Sequence, residues 1–131
     1  MENLKRIIIA GKTYPIKMDL NVLEHIQNEY GTIYKFERDL LGIEFQKDEE
    51  GKQKYNSDGN PIMYRKEPSI KAIKVALPLM INEGLAIEAE ERSISWEAVS
   101  ENEIWRNCDI SYELLAKMIH EEFKRCFQVK K

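Results

Sequence analysis

Apolar and polar positions change period several times along this chain, and each change marks an element. Residues 6–10 and 13–17 are short β-prone runs rich in Ile, Thr and Tyr, joined by Gly11-Lys12. They predict a hairpin, with Gly11 at the first position of a type II′ turn. Two strands alone are marginal in water, so this hairpin must lean on helices or on another copy. The period then becomes helical. Asn21 with Glu24 fits a capping box, Leu23, Ile26 and Tyr30 share one face behind it, and Gly31 suits the helix end. A second helix over 32–41 places Ile33, Phe36 and Leu40 on one stripe and stops at Gly42.

Residues 43–67 break the pattern. They are poor in apolar positions and carry two turn signals, Glu50-Gly51 and Asp58-Gly59. The segment reads as an exposed insertion, a hairpin or a mobile loop, since 25 residues exceed an ordinary connection in a compact domain. A calcium loop is excluded by count. With Gly59 as the central glycine, Lys54 and Arg65 occupy the first and twelfth positions, and with Gly51 these fall on Gln46 and Ile62. No internal repeat is apparent.

The stretch from Ile70 to about Glu90 predicts a long central helix entered at Pro68 or Ser69. Ile70, Ile73, Leu77, Met80, Ile81 and Ile87 form one broad apolar face, while Ala72, Val75, Leu79 and Ala86 form a second stripe opposite. Only Lys71, Lys74 and Asn82 make a clear polar strip, so the helix should be buried on two sides. Pro78 is expected to kink it and Gly84 to weaken it. Ser100 with Glu103, flanked by Val99 and Ile104, predicts a capped short helix to about Asn107. Asp109 or Ser111 then opens a final helix with Leu114, Leu115, Met118, Ile119, Phe123, Cys126 and Phe127 on one side. Its other side offers Glu113–Lys117 and Glu121–Arg125 pairs at i,i+4 spacing.

Composition adds mainly exclusions. The chain has 131 residues, 43% hydrophobic and 33% charged, which is ordinary material for a single domain over 1–131. Its 20 basic and 23 acidic residues give a net charge of -3 without a basic excess, arguing against a nucleic-acid partner. No apolar run approaches the roughly 18 residues of a membrane span, and the N-terminal Ile triplet is too short for a signal-peptide core. Cys108 and Cys126 make no disulfide framework, so reduced thiols in a cytoplasm are expected.

Catalytic chemistry finds no footing in the residues. The six glycines form no phosphate-binding cluster, and His25 and His120 lack metal-ligand spacing. Helix-surface His beside Glu, as in His25 with Glu29 or His120 with Glu121 and Glu122, is commonplace. Cys126 lies on an apolar face, and Cys108 has no histidine close in sequence to serve as its base. Trp96 and Trp105 are either core packing or partner anchors. The short helix, turn and long helix near the C-terminus resemble a helix-turn-helix at low resolution, although the outer face of the last helix is mixed in charge.

Several stretches carry a family resemblance. Residues 9–21, Ile-Ala-Gly-Lys-Thr-Tyr-Pro-Ile-Lys-Met-Asp-Leu-Asn, followed by Tyr30-Gly31, resemble the opening hairpin and first helix of the tail assembly chaperones of long-tailed bacteriophages. Residues 68–84 resemble that family's central helix and residues 96–127 its closing helical pair, leaving out 43–67. The resemblance implies a non-catalytic, cofactor-free, homo-oligomerising protein of the bacterial host cytoplasm. Such a protein would coat the hydrophobic tape measure protein while the tail tube polymerises, often beside a longer frameshifted form.

Sequence and resemblance together give the following expectations. The fold is α+β, mainly α: an N-terminal β-hairpin followed by a small helical bundle with an exposed insertion. No catalytic, metal or cofactor residues are expected. The candidate partner contacts are Val75, Leu79 and Ala86 of the second stripe, with Trp96 and Trp105. That stripe would be covered by self-association, by a helical client or by both, unless the hairpin or the insertion covers it within the monomer. A virion head–tail or tail completion component and a small helix-turn-helix-like DNA-binding regulator are the alternative functions.

Overall fold

A computed structural model describes residues 3–128 and shows an α+β fold, mainly α. Strands β1 (Lys5–Ile9) and β2 (Lys12–Ile16) pair antiparallel, with Ile7 opposite Tyr14 and Ile9 opposite Lys12. Ile7, Ile9, Tyr14 and Ile16 turn inward, whereas Ile8 faces out, as a half-buried pleat requires. The turn differs from expectation. Its two central residues are Ala10 and Gly11, at φ +50° and +80°, which is the type I′ pattern and not type II′. The Ala10 amide donates to the Asp109 carboxylate at 3.0 Å, tying this strained turn to the far end of the chain.

Helix α1 (Leu20–Tyr30) begins one residue before Asn21, because Asp19 and not Asn21 caps it, accepting from the Val22 amide at 3.1 Å. Asn21 is thereby free to reach Glu83 at 2.9 Å. Thr32 caps α2 (Ile33–Leu41), and Gly42 ends it in the left-handed conformation with its amide on the Arg38 and Asp39 carbonyls.

The insertion is an ordered arm with a repeat that the amino-acid pattern did not reveal. Strand β3 (Ile43–Phe45) pairs with β4 (Met63–Arg65) at its base. Further out, Gln46, Lys54 and Ile62 close a three-membered ring of backbone hydrogen bonds at 2.9–3.0 Å, each donating to one member and accepting from the other. Between them lie two turns of one design. The Asp48 carboxylate accepts from the Glu50 and Lys52 amides, and the Asn56 side chain accepts from the Asp58 and Asn60 amides. Gly51 and Gly59 supply the positive φ in corresponding places. Of the acidic residues near these glycines, Asp48 is spent on closing a turn and Glu50 pairs with Lys52.

Helix α3 (Ile70–Arg92) organises everything else. Ser69 caps it through the Ala72 amide at 3.2 Å, and it continues unbroken through Pro78 and Gly84. Ile73, Leu77, Met80 and Ile81 are buried against the hairpin and the other helices, joined by Ala72 from the opposite stripe. Ile70, expected on the inner face, is instead exposed at the first turn. Gly84 is where β2 crosses: a Cβ there would lie 2.6 Å from the Pro15 carbonyl oxygen. Close by, the Lys17 amide donates to the Met80 carbonyl at 3.1 Å.

After α3 an extended segment returns along the helix to α4 (Glu101–Trp105), shorter than its pattern implied and capped by Ser100. Ser111 caps α5 (Tyr112–Cys126), which buries Leu115, Ile119 and Phe123. Leu114 and Phe127 are about half exposed, so the buried stripe of α5 is narrower than the apolar pattern. Arg125 pairs with Glu122 at 3.4 Å instead of with Glu121. His120 meets Glu37 of α2 at 2.9 Å and stacks on Phe123. No helix among the described residues is long and apolar enough to cross a membrane.

Candidate partner-binding groove

The second stripe of α3 forms the floor of a groove. One wall is α1, presenting His25 and Glu29, and the other is the returning segment, presenting Val99 and Glu101. Val75, Pro78 and Leu79 line its base, and its volume is about 750 Å³. A second hollow of about 200 Å³ continues it past Leu79 and Asn82 to Ala86 and Trp96. His25, Leu79 and Asn82 border both, so the two make one continuous channel. Four of the five residues singled out in the sequence, Val75, Leu79, Ala86 and Trp96, therefore line one surface. The first three are half-buried and Trp96 is 43% exposed.

Neither the hairpin nor the insertion lines this groove. The hairpin covers the opposite side of α3, and the arm leaves the fold near the helix N-terminus, where the Ser69 amide bonds the Asp39 carbonyl at 2.9 Å. The half-covered stripe results from walls supplied by a slim helix and a strand-like segment, neither wide enough to close over it.

Asn82 sets the width. Its side-chain oxygen accepts from the Val99 amide at 2.8 Å and its amide group reaches the Val99 carbonyl at 3.5 Å, so one side chain imitates a neighbouring strand. In the sequence Asn82 stands with Lys71 and Lys74 in the polar strip of the helix, and nothing there marks it as a clamp. Replacing Asn82 with Ala leaves both backbone groups without a protein partner. The expected result is a loss of about 1–2 kcal/mol and faster proteolytic cleavage within 93–100, measured by limited digestion.

Charge is mixed along the channel. Lys71 and Lys74 share one end with Glu29 and Glu101, and Lys71 lies 5.2 Å from the centre of the Tyr30 ring. Glu83 stands at the other, its carboxyl raised above the usual range chiefly by burial and further by Asp19 beside it. Glu83 was not singled out in the sequence, and His25 only as a commonplace helix-surface histidine beside Glu29, because the packing of α1 on α3 is what brings them to the channel.

Trp105 lies elsewhere. It packs half-buried around Ile73, Cys108, Tyr112 and Leu115, and its indole N–H is closed off from solvent with no acceptor among the described residues. Cys126 is partly buried, which pushes its thiol pKa up. Among the described residues no cluster of three His, Cys, Asp or Glu side chains is arranged to hold a metal ion. The short α4 has five residues, little more than one turn. No protein-family model, curated protein or solved structure matches the chain.

Proposed function

We propose that this chain is a non-catalytic helix-binding protein that acts as a phage tail assembly chaperone, sheltering an apolar helical stretch of the tape measure protein. The observation that carries this reading is the continuous groove floored by Val75, Leu79 and Ala86 with Trp96 at its rim. An amphipathic helix laid in such a groove covers apolar surface on both partners. The resemblance of residues 9–21, 68–84 and 96–127 to tail assembly chaperones supports the same reading and names the client.

Co-expression with the candidate tape measure protein, followed by size-exclusion chromatography with light scattering, tests it. A soluble complex with many copies of this chain per client is expected, where the client alone is insoluble. A client that stays insoluble beside a bare monomer overturns the proposal. Val75→Glu combined with Leu79→Glu should abolish client solubilisation while the circular dichroism spectrum and a cooperative melt survive. Global unfolding of that variant would make the stripe core and not docking surface. Presence in purified particles would favour the virion component instead, and salt-sensitive retention on DNA the regulator.

A further inference from the structure

The base of the arm leaves one strand edge open. The Lys66 amide donates to the Gly42 carbonyl at 2.7 Å and the Gln46 amide to the Ile62 carbonyl at 2.9 Å, so these two pairs carry ladder bonds. Bonded and non-bonded positions alternate in an antiparallel pair. Ile43 and Phe45, opposite Arg65 and Met63, therefore aim their amides and carbonyls away from β4. Lys47 continues the series. Its bridge to Gln53 is flanked by the bonds from Asp48 to Lys52 and from Lys54 to Gln46, which leave its own backbone groups pointing outward. The backbone groups of Ile43, Phe45 and Lys47 have no hydrogen-bond partner among the described residues.

This edge borders a concave surface between α2 and the arm, with a volume of about 740 Å³. Ile43 and Phe45 line it from one face of β3, and Glu44 and Gln46 from the other. What meets the hollow is thus the rim between the two faces, the free edge itself. Met63 and Arg65, which hold the outer edge of β4, do not line it. Its charge is lopsided: Lys35, Arg38, Lys47, Lys54 and Lys66 stand against Asp39 and Glu44. Lys66 is engaged with Glu44 at 3.2 Å, and Arg38 lies over the Phe45 ring at 5.2 Å. Lys35, Lys47 and Lys54 are exposed and form no ion pair among the described residues.

An occupant must answer both features. Three outward-facing residues at alternate positions span about 13 Å at roughly 3.3 Å per residue, room for a strand of about five residues. Each offers one donor and one acceptor, so the occupant must supply both kinds, and the unpaired lysines call for negative charge. A polynucleotide backbone offers phosphate acceptors and would set them against the three carbonyls. An acidic polypeptide strand satisfies every group.

We infer that the cleft takes an extended, acidic segment of a partner protein, which adds to the free edge of β3 as a third strand and sets its carboxylates against Lys35, Lys47 and Lys54. The site shares no residue with the α3 groove, so it stands or falls independently of what that groove holds.

Fluorescence anisotropy with the purified full chain tests it, using a labelled peptide of about eight residues that alternates aspartate with valine. Saturable binding is expected near 0.1 M salt, weakening by about tenfold or more near 1 M, where the screening length falls from about 10 Å to about 3 Å. Lys47→Glu with Lys54→Glu should lose binding while its circular dichroism spectrum and melt match the parent's. The decisive probe is the same peptide N-methylated at every second amide, made in both registers. One register should lose about tenfold or more, because its methyl groups block the bonds to β3. No binding of the plain peptide, or equal binding of both methylated forms and the parent peptide, would overturn the inference. Tighter binding of a single-stranded oligonucleotide of equal charge would make the cleft a polyanion site instead. Self-association that the lysine variant abolishes would give the cleft to a second copy and overturn it as well.

Discussion

Replacing Gly84 with alanine is expected to destabilise the protein by about 2 kcal/mol, although alanine is the better helix former by about 1 kcal/mol. The sign is decided by what the new methyl meets. Its Cβ would lie 2.6 Å from the Pro15 carbonyl oxygen, 2.7 Å from the Pro15 carbonyl carbon and 3.0 Å from the Ile16 nitrogen. All three are backbone atoms of a strand pinned by its ladder to β1, so no side chain can swing aside to make room. Overpacking of this kind costs about 1–3 kcal/mol, and more when backbone must move. Separation of β2 from α3 would also stretch the bond from the Lys17 amide to the Met80 carbonyl. Valine at the same site should prevent folding at ordinary temperatures. Urea denaturation followed by circular dichroism measures the effect; a stabilised alanine variant would mean that strand and helix are not in contact at this point.

The second large effect is expected at Phe36. This ring is fully buried and joins three helices: its centroid lies 5.6 Å from that of Tyr30 in α1 and 5.9 Å from that of Phe123 in α5. Phe36→Ala removes both contacts and leaves a cavity that the ends of two helices cannot collapse to fill, a loss of roughly 3–5 kcal/mol. A small domain with stability of about 5–15 kcal/mol would be left near its threshold. Thermal unfolding should show the melt broadened and shifted down by well over ten degrees, about the ratio expected of a chain this size. Tyr30 provides an internal reporter. Burial raises its phenol pKa to about 12, so spectrophotometric titration of the variant should find that phenol closer to its ordinary value.

How much of this was legible beforehand follows from where each constraint resides. Helix ends are local: Gly31, Gly42, Ser100 and Ser111 all act within one turn of their position, and each was visible as a stop or cap signal. The hairpin turn slipped by one residue because a Gly-Lys pair and an Ala-Gly pair overlap in sequence, and the Asp109 contact to Ala10, which supports the second, comes from far along the chain. The cap of α1 was misplaced for a similar reason, since Asp19 and Asn21 are both good caps and Glu83 claims Asn21. The arm was read as either a hairpin or a mobile loop, and the choice stayed open because its order comes from backbone bonds closing between Gln46, Lys54 and Ile62, which leave no apolar period to detect. The groove was half legible. Apolar spacing on α3 pointed to Val75, Leu79 and Ala86, but its walls and its Asn82 clamp depend on long-range packing.

The ring formed by Gln46, Lys54 and Ile62 has a consequence for how this protein avoids sticking to itself in the wrong way. A protruding hairpin ordinarily offers a raw border of unpaired amides and carbonyls, a template for any passing strand and a seed for aggregation. Here the three segments bond cyclically, each using one amide and one carbonyl on its two companions, so the cross-section at that level has no border. Closure of this kind is how barrels rid themselves of edges, achieved with three backbones and two tight turns. At that level the arm can therefore reach into solvent, with Tyr55 exposed beyond it, without offering an edge to foreign strands.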